Sequence, residues 1–138
     1  HPFIATNFPR CPKWFDEGLA SLYEQSSERE GKLMGLPNWR LAGLHEALRQ
    51  KTLPSFKTLC ESGRRFYSDD PGTNYAQARY LCYWLQEAGL LNRFYHAFVA
   101  SVGEDPTGYK TLQKVIRTTD MVGFQRRWSK AMLQLQYP

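Results

Sequence analysis

Residues 75 to 88, YAQARYLCYWLQEA, put apolar side chains on nearly every side of a helix. Such a helix has no stripe to turn toward water, so it belongs at the centre of a fold with other elements around it. Gly89 stands where this helix should end, because glycine takes up the left-handed backbone of a C-terminal cap at no steric cost. Whatever this chain folds into has to wrap that segment.

The segments around it are helical in pattern. Phe15, Gly18, Leu19, Leu22 and Tyr23 fall at i, i+3, i+4, i+7 and i+8, one face of a helix that Pro12 is suited to begin. Leu91, Phe94, Tyr95, Phe98, Val99 and Val102 form a second stripe; Tyr109, Leu112, Val115 and Ile116 a third; Met121, Phe124, Trp128, Met132 and Leu135 a fourth. Asn38 can cap a helix reaching about Arg49, and a short helix follows Pro54. The stretch SSEREGKLMGLPN breaks the period, with a short extended piece at Lys32 to Leu36, and SDDPGTN (68 to 74) reads as a loop. No strand pattern of weight competes. The expectation is one all-α helical bundle of six or seven helices over residues 1 to 138.

With 138 residues, 42% hydrophobic and 14% aromatic, the chain can bury a substantial core. The net charge of +5 is dispersed, and the closest basic clusters, Arg64-Arg65 and Arg126-Arg127-Lys130, are too small to point to nucleic acid. No apolar run reaches the roughly 18 residues of a membrane span, and no signal peptide is visible. Cys11, Cys60 and Cys82 form no zinc-ribbon spacing and allow at most one disulfide, which decides nothing about redox compartment. The chain begins at His1 rather than Met, which suggests a processed or excised fragment.

Within KWFDEGLASLYE (13 to 24), Glu17 and Glu24 lie about 20° apart on a helical wheel and point away from the Phe15/Leu19/Leu22 stripe. A solvated polar face accounts for them in general terms. Gly18 and Ala20, small residues beside Glu17, suggest instead that another backbone covers this face.

WFDEGLASLYE resembles the third-ligand helix of the gluzincin metallopeptidases, the peptidase MA-like class, which has the form W-x-x-E-G-x-A. Trp14, Glu17, Gly18 and Ala20 occupy those positions. The resemblance implies that Glu17 is a zinc ligand, and that Glu24 is the carboxylate that orients a ligand histidine. It also implies that His1, 16 residues before Glu17, is the second histidine of a His-Glu-x-x-His helix whose beginning, with the general-base glutamate, precedes this sequence. That spacing is shorter than in the familiar aminopeptidases. Tyr75, 58 residues after Glu17, matches the family's tyrosine that donates to the tetrahedral oxyanion, although Ala76-Gln77 replaces the charged pair usual after it. The likeness covers residues 1 to roughly 85 and implies the C-terminal subdomain of a zincin-like peptidase acting on a peptide or protein substrate. The chain by itself is then expected to be inactive, and a bacterial extracytoplasmic location follows by analogy alone.

His45 and His96 have no ligand partners at helical spacing and read as surface or partly packed residues. Nucleotide-binding and serine-hydrolase glycine motifs are absent from the sequence. Copper chelation by an N-terminal histidine needs a β-sandwich with further histidines, which a helical chain does not supply. The alternative from another class is a helical binding or scaffold module, or a degenerate peptidase.

Overall fold

Pro12 opens the first helix, its carbonyl accepting from Phe15 N at 3.1 Å and Asp16 N at 3.0 Å. The computed structural model describes residues 11–137, and this helix, α1, runs Lys13–Leu22. A hairpin of β1 (Ser26–Arg29) and β2 (Lys32–Gly35) follows, then α2 (Arg40–Gln50), α3 (Phe56–Cys60), α4 (Arg65–Ser68), α5 (Pro71–Glu87), α6 (Leu91–Ser101), α7 (Tyr109–Ile116) and α8 (Met121–Gln134). The fold is all-α, with one antiparallel hairpin as the sole sheet among the described residues. Among them, too, no helix is long and apolar enough to cross a membrane.

The central helix is α5, as its all-round apolar character requires. Ala78, Tyr80, Leu81, Cys82 and Leu85 have no exposed surface, and α1, α2, α4, α6 and the hairpin all pack on it. It begins at Pro71, so the expected loop 68–74 is cut short and Tyr75 sits in the second turn instead of at the helix start. Gly89, at φ 73°, ends it, with Leu90 N returning to Leu85 O at 2.7 Å.

Four polar side chains of α5 are buried, and each bonds a backbone group of another segment, which offsets part of the cost of burying it. Asn74 donates to Phe66 O (3.0 Å) and Asp69 O (2.7 Å), and Gln77 to Pro54 O (2.8 Å). Gln86 makes a two-way bond with Gly35, 2.8 Å from its N–H and 2.9 Å to its carbonyl. Arg79 donates to Leu36 O. These bonds tether the connections before and after α2, α3 and α4 to one helix.

The hairpin corrects the sequence expectation of a single extended piece. Its register pairs Ser26 with Gly35 and Arg29 with Lys32, and Glu30 and Gly31 both take positive φ (53° and 78°), the two-residue turn that matches strand twist. Asn38 acts close to where the sequence placed it. Its Oδ1 accepts from Arg40 N at 3.0 Å, one position before the residue that caps α2.

The longest packed interface is between α1 and α5. It closes on Gly18: a Cβ there would lie 2.6 Å from Ala78 O and 2.9 Å from Cys82 Sγ, so only glycine lets the two backbones come together. All three cysteines are buried thiols. Gly18→Ala should therefore destabilise the protein by about 1–3 kcal/mol, the cost of overpacking, even though alanine favours helix by up to about 1 kcal/mol. Urea unfolding monitored by circular dichroism measures the difference; a stabilised variant would show that the two helices do not close on this residue.

Candidate active site

The contact at Gly18 sets the residue before it, Glu17, beside the start of α5. Glu17 is half-buried, and Tyr67 on α4 donates its hydroxyl proton to Glu17 Oε2 at 2.6 Å. A short path of rings leads on from there. Tyr67 meets the buried Phe66 edge-on (5.5 Å, 74°), and Phe66 meets Tyr75 edge-on (5.1 Å, 78°). Edge-to-face contacts of this kind fix ring orientation as well as burying surface.

Glu24 approaches from the other side. The sequence reading put it on the helix of Glu17, but α1 ends at Leu22, and Tyr23 and Glu24 form the turn into the hairpin. Glu24 N still bonds Ser21 O at 3.2 Å and Ser21 Oγ reaches Glu24 Oε1 at 3.3 Å. Its side chain is 52% exposed and meets Arg40 Nε at 3.7 Å. The Arg40 guanidinium lies over the Trp39 ring at 4.4 Å and the Tyr75 ring at 5.2 Å, so Arg40 links Glu24 to Tyr75 as Tyr67 and Phe66 link Glu17 to it.

The charges in this cluster act on the phenols. Burial raises the Tyr75 pKa, and the Glu17 carboxylate raises it further; Arg40 opposes and Glu24 adds. Tyr67 is pushed far above the ordinary phenol range, by burial first and then by its hydrogen bond to Glu17. Both tyrosines are hydrogen-bond donors at neutral pH.

Three of the four residues singled out from the sequence, Glu17, Glu24 and Tyr75, thus surround one locality, while His1 lies outside the described residues. Tyr67, Arg40 and Arg79 were missed. Arg79 carried a readable signal, a charge on a helix otherwise apolar; Tyr67 sits in a four-residue helix too short to show a period. His45 is partly packed, its Nε2 bonded to Met132 O at 2.7 Å, and His96 is exposed against Tyr95, the placements that the sequence reading gave them.

Ligating carboxylates are as a rule hydrogen-bonded by a neighbouring group, and Tyr67 gives Glu17 that partner. Among the described residues no group of three or more His, Cys, Asp or Glu could hold a metal ion. Compared with family models, curated proteins and solved structures, the chain finds no match.

The Tyr67–Glu17 bond has a direct spectroscopic consequence. In protein labelled at the tyrosine ring carbons, the Tyr67 phenol should ionise well above 10, the value of a free phenol. Glu17→Gln should lower that midpoint without returning it to 10, because burial, the largest cause, is untouched. An unchanged midpoint would mean that the Glu17 carboxylate does not act on Tyr67.

Proposed function

We propose that this helical domain belongs to a zinc-dependent peptidase of the gluzincin type. The observation that carries the proposal is the convergence of Glu17, Glu24 and Tyr75, the residues that the motif resemblance singles out across 58 positions of sequence, around Tyr67 and Arg40. Nothing in the apolar pattern of α1 or α5 demands that these polar side chains meet.

In this reading Glu17 and His1 are two protein ligands, and the remaining histidine and general base are outside this sequence. Zinc, when bound, supplies Lewis acidity toward a carbonyl oxygen and acidifies a water molecule. The chain's own residues do the rest of what is assigned here. Glu17 presents its carboxylate in an orientation held by Tyr67. Glu24 offers a carboxylate at the rim to fix the tautomer of a ligand histidine. Tyr75, a neutral phenol held by Phe66 and Arg40, donates a hydrogen bond to the oxygen on which charge develops when a peptide carbonyl is attacked. On this reading the chain by itself is expected not to hydrolyse peptides.

An N-terminally extended, active form separates these roles. Glu17→Gln should lose metal and activity together, since an amide is a poor ligand. Tyr75→Phe should keep its metal and fold but lower kcat by about 10²-fold or more, the usual cost of one oxyanion donor, with little change in KM. Metal analysis and steady-state kinetics read both. An extended form that binds no zinc and cleaves no peptide would sink the peptidase reading and leave a helical binding module in its place.

A further inference from the structure

Arg40 is the cation of this site whose bonding is least complete. Its guanidinium carbon lies over the Trp39 ring at 4.4 Å and over the Tyr75 ring at 5.2 Å. Its nearest carboxylate oxygen, Glu24 Oε1, is 3.7 Å from Nε, well beyond the 2.7–2.9 Å of a charge-assisted hydrogen bond. Nε is buried without a hydrogen bond, and the guanidinium donates none to any described residue. Two rings beside the guanidinium limit its movement, and its donors form a rigid planar fork. That is the geometry that receives a carboxylate through two parallel bonds.

A second, buried guanidinium, that of Arg79, lies within electrostatic reach of the first. Arg79 has no exposed surface, forms no ion pair with a described carboxylate, and leaves Nε and Nη1 unpartnered while Nη2 bonds Leu36 O. Glu24 and Arg40 both act on its charge, so the three groups share one locality. The carboxylate nearest Arg40 is Glu24, at a distance too long for a hydrogen bond, while Glu17 accepts from Tyr67. The partly exposed edge of this locality is formed by Arg40, which keeps 17% of its side-chain surface, and Trp39, which is 64% exposed.

We propose that Arg40, backed by Arg79 and framed by Trp39 and Tyr75, is a carboxylate-binding subsite, so that the peptide accepted beside Tyr75 carries a negative charge at the residue next to the reacting bond. The peptide identity of the ligand rests on the peptidase reading; capture of a carboxylate by Arg40 requires neither zinc nor turnover. A free C-terminus and an acidic side chain present the same group, and either satisfies the site.

The test uses this chain, labelled with ¹⁵N, and four short N-acetylated peptides: a free acid with uncharged side chains, a C-terminal amide with one glutamate, a fully neutral amide and an amide with one lysine. The free acid, the glutamate amide or both should bind at least about 10-fold more tightly than the neutral and lysine amides, with shifts centred on the Arg40 Nε–H and Trp39 indole N–H signals. Which of the two binds identifies the source of the carboxylate. Arg40→Lys keeps the charge but not the fork and should weaken carboxylate binding about 10-fold with the circular dichroism spectrum unchanged. Arg40→Gln should abolish it. Equal binding of all four peptides, shifts elsewhere on the surface, or unaltered binding by Arg40→Lys would each overturn the subsite. A failure of the extended form to hydrolyse peptides bears on the peptidase reading alone, because carboxylate binding is read here without catalysis.

Discussion

The approach of α1 to α5 at Gly18 governs the rest of the molecule. A backbone carbonyl, Ala78 O, occupies the place where any other residue would carry Cβ, so the two helices touch through their main chains. Trp14, Phe15, Leu19 and Leu22 are buried by the same approach, and the indole of Trp14 is anchored by a bond to Thr107 O at 2.8 Å. Since interior packing is close to that of a crystal, such a contact transmits position and not merely proximity. Glu17 has no freedom to leave the neighbourhood of α5 while Gly18 stays where it is.

The same helix organises the other side of the site. Asn74 fixes the α4 segment through Phe66 O and Asp69 O, and with it Tyr67. Tyr80 accepts at its hydroxyl from Asn38 N at 3.0 Å, which fixes the start of α2 and with it Arg40. The polar groups buried along α5 are thus the means by which two separate segments are aimed at one place. Preorganised donors of this kind lose little energy to rearrangement when charge appears among them, and two phenols held protonated by burial and by neighbouring carboxylates are donors of that sort.

How much of this was legible in the sequence follows from how each element is stabilised. α1, α6, α7 and α8 carry apolar stripes that become the core, and α5 is apolar nearly all round, so the hydrophobic pattern finds them. The hairpin escaped because β1, Ser-Ser-Glu-Arg, is mostly exposed and has no apolar alternation; it is held by Gln86 and by the Glu30-Gly31 turn, neither of which leaves a periodic trace. The position of Glu24 was misjudged for the same reason: a helical wheel assumes a continuing helix, and the hairpin ends this one at Leu22. Glu17 and Tyr75 were legible only as members of a pattern, whereas Tyr67 and Arg40 depend on tertiary contacts 50 and 35 residues away in sequence from Glu17 and Tyr75. Side chains that meet only after folding have no local signature to read.

The central claim is that Glu17, held by Tyr67 against the start of α5, is a metal ligand. Crystals of an N-terminally extended form grown with zinc, measured on both sides of the zinc absorption edge, test it most directly. The account predicts an anomalous peak about 2.0–2.2 Å from a Glu17 carboxylate oxygen, with Tyr67 still bonded to Glu17 and Tyr75 facing the same space. Zinc bound only elsewhere, or a Glu17 carboxylate turned away from the metal, would contradict it.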